Sequence, residues 1–96
     1  MPTQPTDAVR INPKCLLTEL GDGTGVVLDL DTKFYFTLNR AGVVVWKELA
    51  SRGEGSTPSA LSRKLEEVFD VTHDDALRDV LSLIDMMAGE GLVQPS

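Results

Sequence analysis

The spacing of apolar residues changes at Asn39, and that change constrains the fold more than any other feature of the sequence. Before Asn39, apolar residues come in short β-rich runs broken by turn formers. After it they recur every three or four positions, the period of a helix. A chain patterned this way places strands first and helices second. It reads as α+β, with three N-terminal antiparallel strands followed by three helices.

The strand half begins with residues 15–20 and stops at Gly21-Asp22-Gly23, a strong turn signal. Two further runs, 25–30 and 33–38, flank Asp31-Thr32 and read as a hairpin with a two-residue turn. Alternation places Phe34, Phe36 and Leu38 on one face, with Tyr35 and Thr37 on the other. In the partner strand Val26, Leu28 and Leu30 share a face, opposite Val27 and Asp29. Three strands with one apolar face need helices to cover them.

In the helical half, Asn39 is an N-cap for a helix over 40–52, with Gly53 beyond its end. Ala41, Val45, Trp46 and Leu49 form its buried stripe. Thr57-Pro58 is a cap followed by proline at the first helical position, where the missing N–H costs nothing. That second helix, 58–69, is expected to bury Leu61, Leu65, Val68 and Phe69. Thr72 caps a third helix with Asp74 and Asp75 in its first turn, where the helix dipole favours negative charge. Its stripe is Leu77, Val80, Leu81, Ile84 and Met87. Gly89 and Gly91 end it, and Leu92-Val93 is expected to tuck back as a short extended piece. Residues 1–13 are expected to be a mobile tail and 14–96 a single domain.

Composition removes several functions. Fifteen acids against nine bases give a net charge of −6, and residues 66–96 hold eight acids and only Arg78 as a base. Phosphate binding draws most of its affinity from cations, so nucleic acid is a poor partner. The longest apolar run, 43–46, is too short for a membrane, and no secretory signal is expected at the start. Cys15 is the sole cysteine, which excludes an internal disulfide and a thiolate zinc cluster. His73, the only histidine, stands among acids at a helix start and reads as solvated. No serine has a histidine set to activate it. Gly21-Asp-Gly-Thr-Gly25 lacks the lysine of a phosphate loop. The acids at 70, 74, 75 and 79 lack the central glycine and closing glutamate of a calcium loop. The expectation is therefore no catalytic residue, no cofactor and no metal.

Two features carry positive information. The run 33–38 is aromatic, β-rich and the last strand before the helices. At a sheet edge, its unpaired backbone would accept another strand. The third helix is apolar over more than one stripe, since Leu83 and Met86 add to it, and methionines make adaptable contacts. An edge beside such a helix forms a groove for an extended peptide.

The run Lys33-Phe-Tyr-Phe-Thr-Leu-Asn-Arg-Ala-Gly-Val-Val-Val-Trp-Lys-Glu-Leu resembles the signature of the PqqD-like proteins, named for coenzyme PQQ synthesis protein D. Thr57 onward to Phe69-Asp70-Val71 resembles the family's second helix. Arg78-Asp79-Val80-Leu81, then Leu83-Ile84 and Glu90-Gly91-Leu92-Val93, resemble its acidic third helix and closing Gly-Leu. The resemblance spans 17–93.

It implies a winged helix-turn-helix-like fold and a non-catalytic role as a recognition element for RiPPs, ribosomally made and post-translationally modified peptides. In that family the leader of a precursor peptide adds as a strand beside the third helix and is presented to a maturation enzyme such as a radical-SAM protein. Matched onto this chain, the peptide-binding residues are Lys33, Phe34, Tyr35, Phe36, Thr37 and Leu38 on the strand. On the helix they are Asp75, Arg78, Leu81, Ser82, Asp85 and Met86. Lys33 and Arg78 would meet leader acids, and Asp75 or Asp85 leader bases. The lone cysteine fits a cytoplasmic setting, the net charge speaks against nucleic acid as a partner and the short apolar runs against a membrane, while oligomeric state stays open. Two other readings remain: a winged-helix DNA-binding regulator, which would need basic residues on the third helix, and a general interaction or dimerisation module using Trp46 or Met86-Met87.

Overall fold

The computed structural model describes residues 3–96. Its elements are β1 (Val9–Ile11), β2 (Cys15–Glu19), β3 (Gly25–Asp29), β4 (Tyr35–Leu38), α1 (Arg40–Ser51), α2 (Pro58–Val68), α3 (His73–Gly89) and β5 (Val93–Pro95). The strands form two antiparallel sheets, one of order β2-β3-β4 and one pairing β1 with β5. The expected order of three strands then three helices is thus corrected. A strand precedes that set, and another follows the helices.

β1 lies inside the segment 1–13 that was expected to be a tail, of which residues 1–2 fall outside the described residues. Val9 is buried, and its N–H and C=O bond the C=O and N–H of Ser56 at 2.9 and 2.8 Å. Its strand partner is Pro95, almost a full chain length away. A three-residue strand whose partner is so distant has no local signal to betray it. The tucked-back Leu92-Val93 is present, as the end of the core and the start of β5.

All three helices start where their caps require. The Asn39 side chain accepts the Gly42 N–H at 2.8 Å, Thr57 the Ala60 N–H at 3.2 Å and Thr72 the Asp75 N–H at 3.2 Å. Each satisfies one donor that the first helical turn leaves without an internal partner. The core that they enclose contains Val27 and Leu38 from the sheet, Val45, Trp46 and Leu49 from α1, Leu61 and Leu65 from α2, and Val80, Ile84 and Met87 from α3. Val68, expected inside, is 50% exposed at the last position of α2, where the chain leaves the helix. Phe69, Leu77 and Leu81 are half-buried.

Two expectations about the hairpin are corrected by one residue. Its buried face carries Gly25, Val27 and Asp29 rather than Val26, Leu28 and Leu30. Asp29 turns inward because its carboxylate accepts the N–H groups of Asp31 at 2.9 Å and Thr32 at 3.3 Å, which fold the turn. The loop is longer than two residues. It runs over 30–33 and closes through Lys33, whose N–H donates to the Asp29 carbonyl at 2.8 Å and whose φ of 65° is left-handed. Lys33 and Phe34 therefore lie outside β4.

Gly25 lets the sheet and α1 approach. A Cβ there would lie 2.7 Å from Leu17 Cδ1 and 3.0 Å from Val43 Cγ2.

Candidate functional site

β4 pairs with β3 on one side only, and no strand among the described residues pairs with its other side. The hydrogen-bond parity follows from the loop. The Asp29 N–H donates to the Phe34 carbonyl at 2.9 Å, which makes Asp29–Phe34 a bonded position and, two residues on, Val27–Phe36 another. The main-chain groups of Phe36 and Leu38 therefore point at β3. Those of Tyr35 and Thr37 point outward, two donors and two acceptors along an open edge. At the start of this edge Phe34 and Tyr35 are 68% and 71% exposed, an unusual position for two large aromatics. Phe36 is half-buried against the core and Leu38 is fully packed.

Where β4 runs into α1, a groove of about 370 Å³ opens beside it. Asn39 and Ala41 form its near wall and Leu65 of α2 its floor. The far wall is α3, through Asp79, Ser82, Leu83 and Met86. These four occupy positions i, i+3, i+4 and i+7 and so share one helical face. Leu83 is half-buried, while Met86, 41% exposed, stands at the rim.

The helix residues named from sequence divide. Ser82 and Met86 line the groove. Asp75 and Arg78 are exposed and engage each other, Arg78 donating to Asp75 Oδ1 at 3.4 Å. Leu81 is half-buried and lies away from Met86 by helical spacing, while Asp85, three residues on from Ser82, is exposed beside the groove wall without lining it. Asp85 is already occupied: its Oδ1 accepts the Thr3 N–H at 2.7 Å, and that hydrogen bond holds its carboxyl below the ordinary aspartate range. Sequence reasoning missed Asp79, Asn39, Ala41 and Leu65. It counted Leu83 only as apolar width. The i, i+3, i+4, i+7 spacing from Asp79 to Met86 was legible, but which flank faced the strand was not.

Two other chemically distinctive residues lie elsewhere. His73 Nδ1 is 3.2 Å from Glu66 Oε2 at the exposed start of α3. Cys15 is buried, and that burial, reinforced by Asp29 and Asp31, pushes its thiol pKa up and makes it a poor nucleophile. Among the described residues no helix is long and apolar enough to cross a membrane, and no cluster of three or more metal-ligating side chains occurs.

The arrangement defines a class: a small α+β domain that presents an open sheet edge next to an apolar groove. The chain belongs to the PqqD family, coenzyme PQQ synthesis protein D, which it matches over residues 24–93. No curated protein matches it. Among solved structures it is similar to TbiB1 in complex with the TbiA(beta) leader peptide, at 21% identity and a TM-score of 0.77, covering 88% of this chain and 94% of that one. It is also similar to a lasso peptide synthetase B1 complexed with the leader peptide, at 23% identity and a TM-score of 0.74, covering 91% and 98%. A third likeness is to the PqqD truncation of Methylobacterium extorquens PqqCD, a stand-alone RiPP recognition element, at 19% identity and a TM-score of 0.77, covering 96% and 94%. At these identities the likeness speaks for the fold.

Proposed function

We propose that this protein is a non-catalytic recognition module. It captures the leader of a ribosomally made precursor peptide as an added strand on β4 and presents it to a maturation enzyme, such as a radical-SAM protein, in the cytoplasm. The observation that carries this reading is the open β4 edge, followed at once by Asn39, which lines the groove against α3. Family membership supports it, as do two structural relatives bound to leader peptides. The finer description of the fold as winged helix-turn-helix-like belongs to the same proposal.

In this reading the outward groups of Tyr35 and Thr37 supply main-chain affinity that demands little of the leader's sequence. Phe34 and Tyr35 offer apolar contact along the strand, with Lys33, Phe36 and Leu38 shaping the edge. Ser82 and Met86, with Leu83 and Asp79, form the side wall that reads side chains. Asp75, Arg78, Leu81 and Asp85 keep a lesser part, as the surface past which the leader continues. Tethering the leader raises the local concentration of the attached core peptide at the enzyme, which promotes modification without chemistry in this chain. A DNA-binding role finds no support, because α3 exposes Asp74, Asp75 and Asp79 while Arg78 is held by Asp75.

The test is an amide NMR titration with the leader of a small precursor encoded beside the gene. Shifts concentrated at residues 35–38 and 79–86, saturating at micromolar peptide, are expected. Silence at those amides with two different leaders at millimolar concentration would end the proposal.

A further inference from the structure

We infer that the groove selects a basic peptide: its occupant carries a lysine or arginine next to an apolar anchor, and Asp79 reads that cation. The inference rests on the peptide-capture reading above and adds the chemistry of the peptide. Three observations lead to it. The groove's walls are apolar at Ala41, Leu65, Leu83 and Met86, so they suit an aliphatic or aromatic side chain. Asp79 stands in the α3 wall, exposed, with no hydrogen bond or ion pair to any described residue. Arg78, the only basic residue of α3 apart from His73 at its first position, is engaged by Asp75.

A peptide lying against this wall therefore meets an uncompensated carboxylate. The nearest cation on α3, Arg78, is offset by its exposed pair with Asp75, so it adds little attraction for a peptide acid. The sign of the surrounding field agrees, since Asp74 adds to Asp79 and the chain as a whole carries −6. A leader acid at this point would be repelled, a neutral residue would gain nothing and a cation would be drawn in. For a rim ion pair the preference is about two- to fivefold in affinity, and it falls as salt screens the pair.

The experiment selects binders from a displayed library of random extended peptides and synthesises the consensus with lysine or glutamate at its charged position. Both peptides are titrated against the wild type, Asp79→Lys and Asp74→Lys. Asp74 carries the same charge but does not line the groove, so its reversal controls for the overall field. The expected result is Lys or Arg at a fixed distance from an apolar residue among the selected peptides. The lysine form then binds the wild type more tightly, and Asp79→Lys reverses that preference while Asp74→Lys keeps it. Peptides that move the β4 amides without charge preference would overturn the inference and leave strand capture standing. So would equal effects from Asp74→Lys and Asp79→Lys. A selection yielding no peptide that perturbs residues 35–38 would overturn both.

Discussion

Val27 faces Phe36 across the β3–β4 ladder, and this pair determines which way every main-chain polar group of β4 points. Phe36 spends its N–H and C=O on β3, so Tyr35 and Thr37 hold theirs toward the open edge.

Proline substitutions separate those two sets of groups. Thr37→Pro removes an outward donor and leaves the β3 ladder intact, an edge position where proline is tolerated. It is expected to weaken leader binding by about 1 kcal/mol, roughly fivefold, with little loss of stability. Phe36→Pro removes a ladder bond and should destabilise the hairpin itself. Calorimetric titration with denaturant unfolding of both variants checks this. Equal stability losses would mean that the parity is wrong.

Gly25→Ala forces a methyl to within 3.0 Å of both Leu17 and Val43, at the seam between β2, β3 and α1. Overpacking of this kind costs about 1–3 kcal/mol. The urea midpoint should fall, whereas Gly53→Ala, where a Cβ meets nothing within 4 Å, should leave it almost unchanged.

Ile84 is fully buried at the centre of the face that α3 turns to the core. Ile84→Ala is expected to cost about 2–5 kcal/mol, a large part of the stability of a domain this size. Trp46, the only tryptophan and 3% exposed, reports the loss by its fluorescence on unfolding.

What the sequence revealed was whatever is decided within a few residues. Asn39, Thr57 and Thr72 cap their helices because a side-chain oxygen and a backbone N–H three positions on meet whatever the rest of the chain does. Tyr35–Leu38 was legible as a strand, and the i, i+4, i+7 stripe of Val80, Ile84 and Met87 as core. The failures are non-local. β1 was invisible because its partner is β5. The buried face of β3 was misjudged because Asp29 is drawn inward by the turn that it caps, overriding hydropathy. On α3, Ser82 and Met86 line the groove while Leu81 and Asp85 do not, a division that sequence spacing alone does not give. Only the packing of α2 and α3 through residues such as Leu65 determines which flank faces the strand.

The Thr3–Asp85 contact should respond to acid. Asp85 holds a lowered pKa in the folded protein, so its contribution is present above the unfolded aspartate value of about 3.9. It is lost as pH falls through the still lower folded value. The Thr3 amide resonance should move toward a free-segment position in that window, while in Asp85→Asn no acid step remains. An unchanged Thr3 signal down to that pH would show that the segment is held some other way.

The β1–β5 sheet also has a consequence during synthesis. Val9 leaves the ribosome early and meets Ser56 once the loop before α2 has emerged, a provisional hold of two hydrogen bonds. Its lasting partner, Pro95, is made only after all three helices. Through most of translation the chain can close its hairpins and helices, which are local, but it cannot seal the layer that joins its two ends. Folding of this domain is therefore completed only after the last strand is free, and a chain truncated before β5 should remain an unfinished domain with β1 unpaired.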